Sequence, residues 1–170
     1  MPQSFRVREL SDNDLESVVN LIADIVVNEF KIQLKLDGFD SDLPNLFQHY
    51  NKDNGGCFWV VNKVDNNSNS NSNSNSQIVG TVAIRNLRQP ISTCELKRMF
   101  VLKRYRGLGI GQMMLDVVFN YAKKLGYSNI YLYSSRDLQT ARKLYLKNGF
   151  VSIPRYNDDY RADVFMARKL

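Results

Sequence analysis

Between residues 93 and 149 the chain reads as strand, glycine-rich loop, long helix, short strand and second helix, and this order narrows the possible folds more than any other feature. Thr93 to Val101 has the β-rich content of a strand. Arg104-Tyr105-Arg106-Gly107-Leu108-Gly109-Ile110-Gly111 follows, and then Ile110, Met113, Met114, Val117, Val118, Tyr121 and Leu125 recur at helical spacing until Gly126 caps the run. Asn129 to Tyr133 makes the next strand, and Asp137 to Asn148 a helix stopped by Gly149. A helix between two strands is a crossover, so these two strands lie parallel. Glycines let a backbone turn tightly and bring its amides close to an anion, and the positive end of the following helix adds a favourable field. The loop is therefore a phosphate cradle, and the rest of the chain must say for which phosphate.

The remaining segments predict a mixed sheet. Phe5 to Leu10 alternates as a strand, Ser11-x-x-Asp14 forms a capping box, and Leu15, Val18, Val19, Ile22, Val26 and Phe30 form the stripe of a first helix. A short helix over 42–50 admits Pro44 only in its first turn. Cys57 to Val64 and Gln77 to Leu87 read as strands flanking an Asn/Ser insert at 65–76 that has nothing apolar to bury and is expected to be a disordered hairpin tip. Further strands are expected near Val151 and from Ala162 to Arg168. The fold class is α/β, with six or seven strands, helices on both faces, an antiparallel first half and a parallel middle.

At 170 residues and 44% apolar content, the chain suits one domain with a substantial core, spanning 1–170. It has neither a signal segment nor an apolar run of the roughly 20 residues that cross a bilayer, so a cytoplasmic protein is expected, with the nucleus as an alternative. Cys57 and Cys94 lack Cys-x-x-Cys spacing and His49 has no partner at ligand spacing, which predicts buried thiols and no metal. The net charge of +6 hides an asymmetry: 11 acidic and 6 basic residues up to Asp65 give −5, whereas 6 acidic and 17 basic residues from Asn66 onward give +11. An anionic co-substrate on the basic part and a cationic acceptor near the acidic part would satisfy both. The scattered basic residues, not interleaved with aromatics, argue against nucleic acid as a partner.

Two nucleotide motifs fail on the loop. A P-loop needs Lys-Ser/Thr after its last glycine, where Gln112 and Met113 stand. A dinucleotide fingerprint needs glycine at 112 and an acidic residue ending the next strand, where Tyr133-Ser134 stand.

Three segments in order resemble the GNAT superfamily of N-acetyltransferases: Arg104-Tyr105-Arg106-Gly107-Leu108-Gly109 matches its cofactor motif, Ala141 with Leu144-Tyr145 and Gly149-Phe150 its second signature, and Glu95 to Val101 the strand before the loop. The resemblance covers nearly the whole chain and implies the GNAT-like acyl-CoA N-acyltransferase fold. It further implies acetyl-CoA as co-substrate, held in a V-shaped opening between Leu96 to Val101 and Asn129 to Tyr133. Arg104, Arg106, Gly107, Leu108, Gly109, Ile110, Gly111 and Gln112 would then hold the pyrophosphate, chiefly through amides, and Met99, Phe100 and Val101 would pair with the pantetheine arm as an added strand. Ser134 stands in for a commoner threonine. Leu138 replaces an asparagine that contacts the cofactor in many members.

An alkylammonium must lose a proton before it attacks a thioester, and the departing thiolate must gain one. The resemblance makes Glu95 the candidate base, with a structural ion pair to Lys97 or Arg98 as its alternative role. It makes Tyr145 the candidate acid beside the coenzyme sulfur, with a plain core tyrosine as the alternative. An amide of Met99 or Phe100 at a strand bulge would polarise the thioester carbonyl. The implied activity is transfer of acetyl to a primary amine, small molecule or protein, by direct attack in a ternary complex. A non-catalytic acyl-CoA sensor of the same fold is the rival. Arg155 to Arg161, with Tyr156 and Tyr160, is a candidate acceptor-side loop, and either a monomer or a homodimer is compatible with the sequence.

Overall fold

The computed structural model describes residues 3–64, 77–88 and 92–170, so the Asn/Ser insert lies outside the described residues. Strands β1 (Ser4–Glu9), β2 (Cys57–Val64), β3 (Ile78–Asn86), β4 (Thr93–Val101), β5 (Asn129–Ser134), β6 (Val151–Ser152) and β7 (Val164–Lys169) form one sheet in the order β1-β2-β3-β4-β5-β7-β6. β1 to β4 are antiparallel neighbours, β4 and β5 are parallel, and β7 is antiparallel to both β5 and β6. The expected switch from antiparallel to parallel thus falls at the glycine-loop crossover.

Helices α1 (Leu15–Ala23) and α2 (Leu46–His49) cover one face, where Val18, Ile22, Ile25 and Leu46 pack on Phe58, Val60 and Ala83. Helices α3 (Ile110–Lys124) and α4 (Gln139–Lys147) contribute to a second core with Val82, Ile84, Leu96, Ile130 and Leu132. A sheet buried on both faces explains why β2 and β3 read as nearly unbroken apolar runs, whereas β4 is buried from Thr93 to Arg98 although Glu95, Lys97 and Arg98 are charged.

Two helices differ from expectation. α1 widens into a π-helical turn over Asp24–Glu29, closed by Phe30 N–H donating to the Ile25 carbonyl at 2.9 Å. Leu21 and Ile25 are also buried, at the i+3 and i+7 positions from Val18 on the same helix face. α3 is rotated from the predicted stripe: Leu115, Phe119 and Ala122 are buried while Leu125 is exposed. The rotation follows from packing beyond the helix, since Phe119 meets Phe150 at a centroid distance of 6.1 Å and carries Arg168 3.7 Å above its ring.

Candidate active site

β4 and β5 share only three pairs, Thr93 with Asn129, Cys94 with Ile130 and Glu95 with Tyr131, and beyond them the strands part. The reason is visible on β4. Thr81 pairs with Phe100 but Ala83 with Lys97, so β4 carries one extra residue and bulges away from a regular ladder. Arg98 sits in that bulge at φ 52°, a left-handed conformation that costs a side-chain-bearing residue about 1–2 kcal/mol.

Side chains from afar hold the bulge. Arg98 Nε donates to Asp42 Oδ2 at 2.8 Å, its Nη2 to Asp42 Oδ1, and its Nη1 to Asp40 Oδ1 at 3.1 Å. Thr81 Oγ1 donates to the Arg98 carbonyl at 2.7 Å, and the Tyr50 hydroxyl donates to Asp42. Arg161 joins Asp40 at 2.8 Å and Asp159 at 2.9 Å. Burial pushes the Asp42 carboxyl up, but the Arg98 guanidinium more than offsets this and brings it down to about 2.

Where the strands part, a cleft of about 870 Å³ opens. Its walls are Leu96 to Val101 of β4, Leu132 to Ser134 of β5, Ala141, Leu144 and Tyr145 of α4, and the glycine loop with the first turn of α3. Gly107 and Gly109 take φ of 78° and 82°, which side-chain-bearing residues rarely adopt. A Cβ on Gly111 would stand 2.8 Å from Leu144 Cδ2, so this glycine leaves room for the Leu144 side chain of α4. The amides of the first α3 turn have no intrahelical acceptor, and the helix field adds positive potential there. The cradle, the open β4 edge and the cleft's size fit a pyrophosphate followed by an amide-rich arm.

Most residues expected to hold a co-substrate converge here: Met99, Phe100, Val101, Arg106, Gly107, Gly109, Ile110, Gly111, Gln112 and Ser134 all line the cleft. Leu138 lines it too. Arg104 and Leu108 do not: Arg104 lies 5.0 Å over the Tyr105 ring, and Leu108 is exposed. Arg106 reaches the cleft but is already paired, with Nη2 donating to Glu29 Oε2 at 2.8 Å, Nη1 donating to Glu29 Oε1, and Nε donating to the Val101 carbonyl at 2.9 Å. The Gln112 side chain bonds Asn148 and Asp116 at 2.9 Å each, which leaves its backbone to face the cleft.

Tyr145 is 7% exposed, lines the cleft and places its hydroxyl 3.7 Å from Met99 Sδ. Burial raises its phenol to about 12, so it stays protonated at neutral pH.

Glu95 lies apart from the cleft. Its carboxylate is 1% exposed and stands outside the cleft lining, with Oε2 accepting from Arg85 Nε at 2.7 Å and Oε1 from the Tyr156 hydroxyl at 2.9 Å. The ion pair anticipated with Lys97 or Arg98 is made with Arg85, because β3 and β4 set Arg85 directly opposite Glu95.

Sequence reasoning gave no site role to the side chains of Lys97, Tyr133 or Asp40, which line the cleft together with Asp159 and Arg161 of the candidate acceptor-side loop. Arg155 is a staple within its own loop, donating to the Asp159 and Ala162 carbonyls at 3.0 and 2.7 Å. Cys57 and Cys94 are buried outside the cleft lining, and burial pushes both thiols up to about 12.

A seven-stranded mixed sheet split between two parallel strands, with a glycine loop and a helix start at the split, defines the acyl-CoA N-acyltransferase class of fold. The chain belongs to the acetyltransferase (GNAT) family, whose model matches residues 22–150. An N-acetyltransferase of Schizosaccharomyces pombe, itself described as uncharacterized, is 27% identical over 90% of this chain and 86% of its own length. The N-acetylaspartate synthetase of Xenopus tropicalis is 31% identical over 74% of this chain, which spans only 40% of that relative. Among solved structures, a GNAT-family acetyltransferase from Staphylococcus aureus superposes with a TM-score of 0.82 at 29% identity, covering 98% of this chain and 99% of that one. The spermidine N-acetyltransferase of Vibrio cholerae, solved with CoA and spermine, shares the fold at a TM-score of 0.68 and 19% identity over 97% of this chain and 95% of that one. Among the described residues no helix is long and apolar enough to cross a membrane.

Proposed function

We propose that the chain transfers the acetyl group of acetyl-CoA to a primary amine by direct attack within a ternary complex. The observation that carries this reading is the placement of Tyr145 and the Arg98 bulge on opposite walls of one cleft whose mouth is the glycine loop. Gly107 to Gln112 hold the pyrophosphate through backbone amides, and the free edge of Met99 to Val101 takes the pantetheine arm. Acetyl-CoA supplies an activated thioester carbonyl. A bulge amide of Met99 or Phe100 stabilises the oxyanion that develops on it, while Tyr145 holds a proton for the departing sulfur. The cysteine thiols, protonated and away from the cleft, have no part in this scheme.

The test is calorimetry with acetyl-CoA followed by release of free CoA thiol across a panel of primary amines. Saturable binding with amine-dependent release is expected. Binding without release from any amine would favour the non-catalytic sensor, and absence of binding would remove the reading altogether.

A further inference from the structure

Among the described residues, every buried acidic or basic side chain has a salt-bridge partner except Lys97. Asp14 has Arg8, Asp40 and Asp42 have Arg98, Glu95 has Arg85, and Asp159 has Arg161. Lys97 is 8% exposed and lines the cleft. Its Nζ donates to the Tyr133 hydroxyl and lies 4.3 Å from that ring's centroid. A buried ammonium that has no salt bridge and donates to a phenol is costly unless it sheds its proton or receives a closer counter-charge.

Its position is specific. Lys97 and Tyr133 sit just past the last β4–β5 pair, where the cleft begins, and Lys97 is the residue immediately before the Arg98 bulge. Met99 packs toward the α3 and α4 core and Phe100 toward the α1 and α2 core, so the bulge marks where the cleft passes between the two faces. Tyr145 belongs to the α3 and α4 core, whereas Lys97 shares its end of the cleft with Asp40, Asp159 and Arg161. The glycine loop lies at the Tyr145 end, which leaves the Lys97 end for the second substrate.

We infer that Lys97 is the catalytic base, taking the proton from the acceptor ammonium; this rests on the reading of the chain as an N-acetyltransferase. Of the ammonium's three protons, one passes to the neutral Lys97 amine and then to solvent. A second leaves the nitrogen as the amide forms and restores Tyr145, which has given its own proton to the sulfur; the third remains as the amide N–H. The new bond joins amine nitrogen to acetyl carbon, and the carbon–sulfur bond breaks.

The surroundings keep that amine available. Burial pulls the Lys97 ammonium down to about 8; Glu95 opposes this, Arg98 and Arg85 reinforce it, and Asp42 opposes it. Tyr133 on β5 and Asp159 and Arg161 on the loop before β7 complete the groups around it. Glu95, held outside the cleft by Arg85 and Tyr156, acts on Lys97 through its charge alone.

Three variants and one titration test this. Lys97→Met and Lys97→Arg should both lower kcat about 100-fold or more at neutral pH, with the acetyl-CoA Kd within about twofold of wild type. In the free protein, NMR of lysine labelled at Cε should show one resonance titrating near 8 that Lys97→Met removes. Glu95→Gln should move the acid limb of the kcat profile to lower pH, because a charge that raises Lys97 is gone; loss of the limb would instead make Glu95 the base. Turnover retained in Lys97→Arg, or a titration above 10, would overturn the inference and make Lys97 an anion anchor. Absence of thiol release by the wild type with every amine would overturn the acetyltransferase reading itself, and the base with it.

Discussion

At one end of the cleft Gly107, Gly109 and the first turn of α3 present backbone to the ligand, and their one nearby charged pair, Arg106 with Glu29, is partly exposed. At the other end Asp40, Lys97, Arg98 and Asp159 line the cleft with buried side chains drawn from three separated parts of the chain, and Asp42 backs Arg98. A backbone cradle needs only local geometry and tolerates surface change. A buried charge cluster needs every member, because each charge removed leaves another without compensation. In the proposed function the first end takes the co-substrate and the second the acceptor.

The contrast can be broken most forcefully at Arg98. Arg98→Ala should cost about 3–5 kcal/mol of stability, because Asp42 then keeps only the Tyr50 hydroxyl. Arg98→Gly should cost about 1 kcal/mol less, since glycine accepts the left-handed conformation freely. Chemical denaturation of both variants checks this, and equal losses would show that the bulge carries no strain. The same pairing has a pH signature. The Asp42 carboxyl is held near 2 in the folded chain against an ordinary value of 3.8, so its stabilisation is complete above about pH 4 and fades as pH falls toward 2. Asp42→Asn should flatten that part of a stability curve measured by thermal melts.

Next in size is Tyr145→Phe, expected to lower kcat about 100-fold while acetyl-CoA affinity holds, as calorimetry and steady-state kinetics would show. A smaller effect is expected at the cradle. Gly109→Ala forces a side chain into φ 82°, costs about 1–2 kcal/mol and weakens acetyl-CoA binding roughly tenfold. The least is expected from Arg106→Ala, which trades a partly exposed ion pair for about 1 kcal/mol or less of binding energy. A larger loss there would mean that Arg106 leaves Glu29 for the phosphates.

Legibility followed the same division. β2 and β4 were readable to the residue, and the loop declared itself, because β-rich content and glycine spacing are local signals. Lys97 was not readable as a site residue. In sequence it is one of three charged residues on β4, and nothing local says that Glu95 faces Arg85, Arg98 faces Asp40 and Asp42, and Lys97 faces the cleft. The bulge decides that, and its visible support, Thr81 and Asp42, lies 17 and 56 residues away. The π-turn in α1 was hidden for a related reason: a single inserted residue barely disturbs a stripe, yet it sets where Glu29 and Phe30 meet the cleft wall.

The three pairs joining β4 to β5 have a mechanical meaning as well. Within the strand ladder they are the only seam between a plate made of β1 to β4 and a plate made of β5 to β7, so the sheet is a hinged pair of panels. A guest lying along the free edges adds rungs past the seam and locks the panels together. Amides of Leu132 to Ser134 should exchange faster with solvent than those of Thr93 to Glu95, and saturation with acetyl-CoA should narrow that gap.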